Sequence, residues 1–134
     1  MSNPRCQKCG TELRLTIQLP LPQLNDVIRE AKGHWGAYHT KKKRLTNSIA
    51  LLAMAAKMGH IDGRARLTFT WFPKDRRVDP DNMSHGQKYA IDGLVLAKVL
   101  AGDGYRHIAS IHHEFAEPDK RDPRVEVAIV EVKA

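Results

Sequence analysis

The sequence predicts an α+β fold, a small mixed β-sheet with helices packed on it, in one domain. Three observations carry that expectation. Four short segments alternate apolar and polar residues, as half-buried strands do. Two longer segments carry apolar residues at helical spacing. The length of 134 residues suits one domain, and a chain of that size buries roughly two-thirds of its unfolded surface, enough for a core without disulfides. A hydrophobic content of 42% excludes a disordered chain.

Residues 1–12 are polar and read as a loose extension, with the domain itself spanning 13–134. "LRLTIQLP" is the first strand, with Leu13, Leu15, Ile17 and Leu19 on one face and prolines ending it. The next stretch, from Leu24 to His60, is helical in composition but interrupted between Gly33 and Gly36. Its second part carries Leu45, Ile49, Leu52, Ala53 and Ala56 as an apolar stripe, with Gly59 as the stop. "RARLTFTWF", Arg64 to Phe72, is the second strand, with Ala65, Leu67, Phe69 and Trp71 on one face. A helix is expected from Asn82 to about Leu100, its stripe made by Ile91, Leu94, Val95 and Val99, with Gly86 weakening its middle. A Gly-flanked turn leads to the third strand, "HIASIHHEF", and a loop of hairpin length to the fourth, "RVEVAIVEV". In that last strand Val125, Val127 and Ile129 share a face while Val130 and Val132 fall on the other, which a bulge or a two-sided buried end would accommodate.

Charge points to the partner. Twenty-two Lys and Arg against 15 Asp and Glu give a net charge of +7, which suits a polyanionic partner such as nucleic acid or an anionic membrane. No apolar run approaches the ~18 residues of a membrane span, and no signal-peptide pattern opens the chain, so the expected place is the cytoplasm. Cys6 and Cys9 form C-x-x-C, followed by Gly10. That spacing reads as two free thiols, as half a zinc knuckle completed by a histidine or a second chain, or as a redox pair.

Acids concentrate where a basic protein would not need them. In "VDPDN", Asp79 and Asp81 flank Pro80. The residue before a proline is driven out of helical geometry, so Asp79 sits in an extended lead-in and Asp81 or Asn82 caps the helix. Two residues apart in extended chain, the two carboxylates point the same way. Lys88 lies seven residues after Asp81 and Asp92 four after Lys88, so the three share a helix face. Asp103, in a Gly-Asp-Gly turn, can fold back beside them. One reading is a helix cap, a surface ion pair and a turn residue. The other is phosphodiester hydrolysis: hard carboxylate oxygens suit Mg²⁺, with Mn²⁺ as a substitute, and a metal-bound water attacks in line while a lysine offsets the developing charge.

The run "RRVDPDNMSHGQKYAIDGLVLAKVLAGDGYRHI" resembles the RusA family of Holliday junction endodeoxyribonucleases, common in phages and prophages. A weaker likeness covers most of residues 13–132. The resemblance implies a homodimeric, Mg²⁺-dependent enzyme that nicks four-way DNA junctions symmetrically, as in recombination and repair. It implies Asp79, Asp81 and Asp103 as metal ligands, Lys88 as the catalytic lysine near the scissile phosphate, and Asn82 and Asp92 as support. Two features depart from the family pattern: Lys88 stands nearly two helical turns after Asp81 rather than one, and Asp103 lacks an acidic neighbour. The Cys6–Cys9 extension lies outside the pattern.

Around this constellation, Lys41, Lys42, Lys43 and Arg44 form a run of cations, a solvated face or a phosphate-contacting patch. Arg76 and Arg77 stand just before the acids and can position a DNA backbone. Trp35 and Tyr38 are candidates for stacking on an unpaired base or for burial. His112 and His113 alternate across a strand, so one of them at most faces the site, and a lone strand histidine is more often structural. Two rival readings remain: a non-catalytic basic DNA-binding module with a zinc knuckle, and a zinc-dependent nuclease built on Cys6, Cys9 and histidines.

Overall fold

The computed structural model describes residues 12–19, 21 and 35–132, with side chains of the first long helix described from Thr40 onward. Four strands, β1 (Glu12–Gln18), β2 (Arg64–Phe72), β3 (Ile108–Phe115) and β4 (Arg124–Val132), form one mixed sheet in the order β1-β4-β2-β3. β4 runs antiparallel to both of its neighbours, and β2 and β3 are parallel. A parallel pair needs a crossover. Here it is a three-piece helical segment: α2 (Pro80–Met83), a 3₁₀ turn (Ser84–Gly86) and α3 (Gln87–Leu96). The remaining helix, α1, spans Trp35–Ala55. The architecture is α+β, as the sequence predicts, and among the described residues no helix is long and apolar enough to cross a membrane.

The strand periodicity explains the layers. β2 is paired on both edges, and its alternate residues Ala65, Leu67, Phe69 and Trp71 are all 0% exposed. Val125, Val127 and Ile129 of β4 and Leu15 and Ile17 of β1 continue that buried face. Ile49, Ala50 and Ala53 of α1 and Tyr89, Ala90, Ile91 and Leu94 of α3 complete the core. Each large apolar side chain removed from water here contributes about 1.5–3 kcal/mol. The opposite face keeps Arg14, Thr16, Arg66, His112 and Glu114 in solvent.

Six expectations need correction. On α1, Leu52 is 45% exposed and Ala56 lies past the helix end, while Ala50 is buried instead, so the inward stripe is rotated by one position. That helix stops at Ala55, before Gly59: Lys57 takes a left-handed conformation at φ 54° and the glycine follows at φ 86°. The second helical segment breaks into three pieces around Gly86, where a Cβ would stand 3.0 Å from the Trp71 ring and 3.1 Å from Leu21. The tight fit of the 3₁₀ turn against the sheet leaves no room for a side chain there. Val99 is buried from the turn after α3 and not from the helix. β4 keeps a single register with both neighbours to its end, so Val130 and Val132 are half-buried on the open face without a bulge; the register shift lies between β2 and β3, where Ala109 of β3 is the extra residue between the partners of Ala65 and Arg66. The loop of hairpin length after β3 crosses over β2, because β4 is already paired by β1 and β2.

The two long helices cross at Gly93. A Cβ on that residue would lie 2.5 Å from Cγ2 of Ile49 and 3.3 Å from the backbone nitrogen of Ala50. Ile49 is β-branched and stiff about its first side-chain torsion, and it is 1% exposed, so it has nowhere to retreat. We expect Gly93→Ala to destabilise the protein by about 1–3 kcal/mol through overpacking, outweighing the up to ~1 kcal/mol that alanine gains in a helix interior. Urea denaturation of the single and double variants checks this. With Ile49→Ala in the same chain the two penalties should be clearly less than additive, and full additivity would rule out the contact as the cause.

Candidate active site

The predicted acids begin at the start of α2. Asp79 is extended, with φ −69° and ψ 142°, as the following proline requires. Its carbonyl oxygen accepts the backbone N–H of Asn82 at 3.1 Å and of Met83 at 3.0 Å, which makes Asp79 the N-cap. The expected cap at Asp81 or Asn82 is therefore displaced: Pro80, with its missing N–H and preset φ, takes the first helical position and moves the cap to the residue before it. The Asp79 side chain makes no capping hydrogen bond, and both Asp79 and Asp81 are exposed. The Asp81 carbonyl accepts the Ser84 hydroxyl at 3.1 Å, closing the turn that follows.

A second group of charges gathers on α3 and the loop after it. Nζ of Lys88 stands 3.2 Å from Oδ1 of Asp92, one helical turn on, and 3.7 Å from Oδ2 of Asp103. The hydrogen bond to Asp92, above all, holds the Lys88 ammonium above its usual range; partial burial pulls the other way, and the charge of Asp103 adds to the upward shift. The expected contact between Asp92 and Lys88 is present. Asp103 reaches the lysine because the chain reverses after α3. Lys98 is left-handed at φ 64°, and the N–H of Val99 returns to the carbonyl of Leu94 at 2.9 Å. Gly102 permits the close turn, since a Cβ there would meet the His107 ring at 2.5 Å.

The cationic run of α1 lies beside this group. Lys42 and Lys43 share an open depression of about 500 Å³ with Asp92 and Leu96. Lys41, Lys43 and Arg44 are exposed and Lys42 is half-buried. Arg76 is committed to an ion pair with Glu117. The Arg77 side chain is 90% exposed, with Nε 3.9 Å from Asp75.

Not every predicted partner converges. Among the described residues no group of three or more His, Cys, Asp or Glu is placed to hold a metal ion. The cation that Asp92 and Asp103 meet is the Lys88 ammonium. Asp79, Asp81 and Asp103 are exposed carboxylates, the donor type a hard divalent cation takes, and Asp79 is not spent on capping, but the fold does not gather the three into the ligand group that the resemblance implies. Cys6, Cys9 and the side chains of Trp35 and Tyr38 lie outside the described residues.

Of the two strand histidines, His112 faces solvent, with Nε2 2.8 Å from Glu114. His113 faces the helices and is a structural residue that sequence reasoning only half anticipated. Nε1 of Trp71 donates to its Nδ1 at 2.9 Å, so the neutral ring carries its proton on Nε2 and donates that to Oε1 of Gln87 at 2.9 Å. Gln87 opens α3 and directly precedes Lys88. Nothing in the sequence singles it out, because its partner comes from a strand 26 residues away. Burial first, and then the neighbouring His112, keep the His113 pKa below its ordinary 6.5.

A histidine with a depressed folded pKa takes up its proton in the unfolded chain first. Its contribution to stability is therefore present above about pH 6.5 and is lost as pH falls through the folded value. We expect NMR titration of His113 to give a midpoint below that of an exposed histidine. Unfolding free energy should fall between about pH 7.5 and about pH 5 more steeply in the wild type than in His113→Gln. Equal slopes would remove His113 as the linked group.

No protein-family model matches the chain, and no curated protein matches it. Among solved structures, CetZ1 from Haloferax volcanii, in the form of a GDP-bound monomer, aligns with 91% of this chain at 12% identity and a TM-score of 0.31. The alignment spans 29% of that protein. A likeness this low bears on neither fold nor function.

Proposed function

We propose that this protein is a metal-dependent, structure-selective DNA endonuclease of the RusA type, acting as a homodimer on four-way junctions. The observation that carries the reading is the Lys88–Asp92–Asp103 group set beside Lys42 and Lys43. A basic protein gains from a phosphate-binding run next to a lysine held charged by two carboxylates, because the two together suit a polyanion that undergoes reaction. The extended Asp79 and the first-turn Asp81 supply further oxygen donors upstream of the same crossover.

In this reading Asp79, Asp81 and Asp103 would hold Mg²⁺ or Mn²⁺, which when bound supplies an acidified water and Lewis-acid contact to the phosphate. The chain's own residues do the rest. Lys88 stays protonated through Asp92 and offsets the charge that builds on the phosphate oxygens. Lys41, Lys42, Lys43 and Arg44 hold the backbone of a DNA arm, and Arg77 an adjacent phosphate. With Asp103 among the residues that would hold the metal, Asp92 would remain as the partner that keeps Lys88 charged.

The test is cleavage of four-way, flap and duplex DNA in parallel, with and without Mg²⁺. We expect junction nicking that requires the ion. Asp81→Asn should lower its rate by roughly a hundredfold or more, the scale of losing one electrostatic contributor, while junction binding persists. A normal rate in that variant would exclude the mechanism. Binding without cleavage by the wild type would instead favour the basic DNA-binding module.

A further inference from the structure

A pocket with no part in the metal chemistry opens beside the lead-in to α2 and shares Arg77 with the proposed phosphate contacts. It holds about 370 Å³, and Val78, the residue before Asp79, is part of its wall. That volume falls within the range of about 300–1,000 Å³ that small-molecule sites occupy. Its apolar lining includes Leu19, Trp71, Pro73, Met83 and Pro123. Two exposed cations, Lys74 and Arg77, line it as well, together with one carboxylate, Asp75, which accepts the Arg77 backbone N–H at 2.9 Å and stands 3.9 Å from its Nε.

The walls are tied together by backbone hydrogen bonds. The N–H of Leu19 donates to the carbonyl of Pro123 at 3.0 Å, and the N–H of Asp119 to that of Pro73 at 2.8 Å. Arg124 locks the same loop by bonding Asp119 at 2.8 Å and Glu126 at 2.9 Å. Trp71 is held by its bond to His113. These bonds hold the Leu19, Pro73 and Pro123 walls together, so a ligand would not have to order them.

We propose that this pocket takes one unstacked nucleobase of the DNA, with Lys74 and Arg77 on the phosphates beside it. The assignment rests on the nuclease reading of the neighbouring acids. The chemistry selects a ligand with a flat, largely apolar ring and an anionic attachment. The pyrrolidine rings of Pro73 and Pro123 and the Leu19 side chain suit a flat ring, and the exposed cations suit phosphate. Continuity along the chain gives the pocket its consequence: a base seated against Val78 places its own strand at Asp79. A branched junction offers such bases more cheaply than intact duplex, because unstacking costs least where pairing is already broken. The pocket would then help select branched DNA as well as hold it.

The experiment uses the full chain with isotope-labelled tryptophan and methionine. It is titrated with a deoxynucleoside monophosphate, with deoxyribose phosphate and with inorganic phosphate. Saturable shifts of the Trp71 indole and Met83 methyl signals are expected with the nucleotide and not with the two baseless phosphates. Leu19→Trp, which narrows the cavity, and Lys74→Glu, an exposed change that leaves the core intact, should each weaken nucleotide binding by about tenfold or more. A fluorescent purine analogue at the branch point should brighten on binding to the wild type and not to Leu19→Trp. Equal shifts from all three phosphates, or nucleotide binding unchanged in both variants, would overturn the proposal. Nucleotide binding in a protein that cuts no branched DNA would keep the pocket and sink the nuclease reading; junction cleavage without nucleotide binding would do the reverse.

Discussion

The close crossing of α1 over α3 at Gly93 is the constraint on which the candidate site depends. With hydrogen in place of a side chain, α3 approaches until Ile49 would overlap any Cβ. That approach sets the distance between two surfaces that are far apart in sequence: the cations near the start of α1, and the Lys88–Asp92 pair on α3. Interiors pack at crystal-like density, so a shift at the crossing would reach both. The cost of glycine in a helix interior, up to ~1 kcal/mol, is offset by the burial of Ile49, Ala50 and Leu94 around it.

α3 is fixed at three points, each by a different kind of interaction. Its first residue, Gln87, is held by His113, which Trp71 orients in turn. Its middle rests on α1. Beyond its end, the carbonyl of Val99 accepts the N–H of Ile61 at 2.8 Å, and His60 donates to the carbonyl of Lys98 at 2.5 Å. A charged cluster on a helix so restrained keeps its geometry without spending ligand-binding energy on ordering, which is the requirement for electrostatic preorganisation. Asp103 is the less tightly held member: it is exposed, and its contact with Lys88 at 3.7 Å is the longer of the two.

Much of the fold was legible in the chain, and for a local reason. Alternation in "RARLTFTWF" follows from the two-residue repeat of a strand, and all four residues assigned to its inner face are fully buried. The weaker signals failed where two explanations compete. Leu52 and Ala50 lie near the border of the same helical stripe, and the direction of α3's approach, not hydropathy, decides which of them is covered. Gly59 reads as a helix stop, yet a lysine at 57 takes the left-handed turn first. The break at Gly86 was foreseeable as a weakness but not as a 3₁₀ turn, because its cause is the Trp71 ring beneath it.

By itself the sequence determined what covalent geometry and short-range spacing dictate. Pro80 forces Asp79 into an extended conformation, a four-residue offset pairs Lys88 with Asp92, and alternation sorts each strand into an inner and an outer face. The tertiary structure alone decided which distant groups meet: Lys42 and Lys43 beside Asp92, Asp103 on Lys88, His113 on Gln87, and the prolines of two loops around one pocket. Those meetings depend on strand order and on how closely helices cross, and both are set by the simultaneous packing of the whole core. No periodicity within a single segment encodes them.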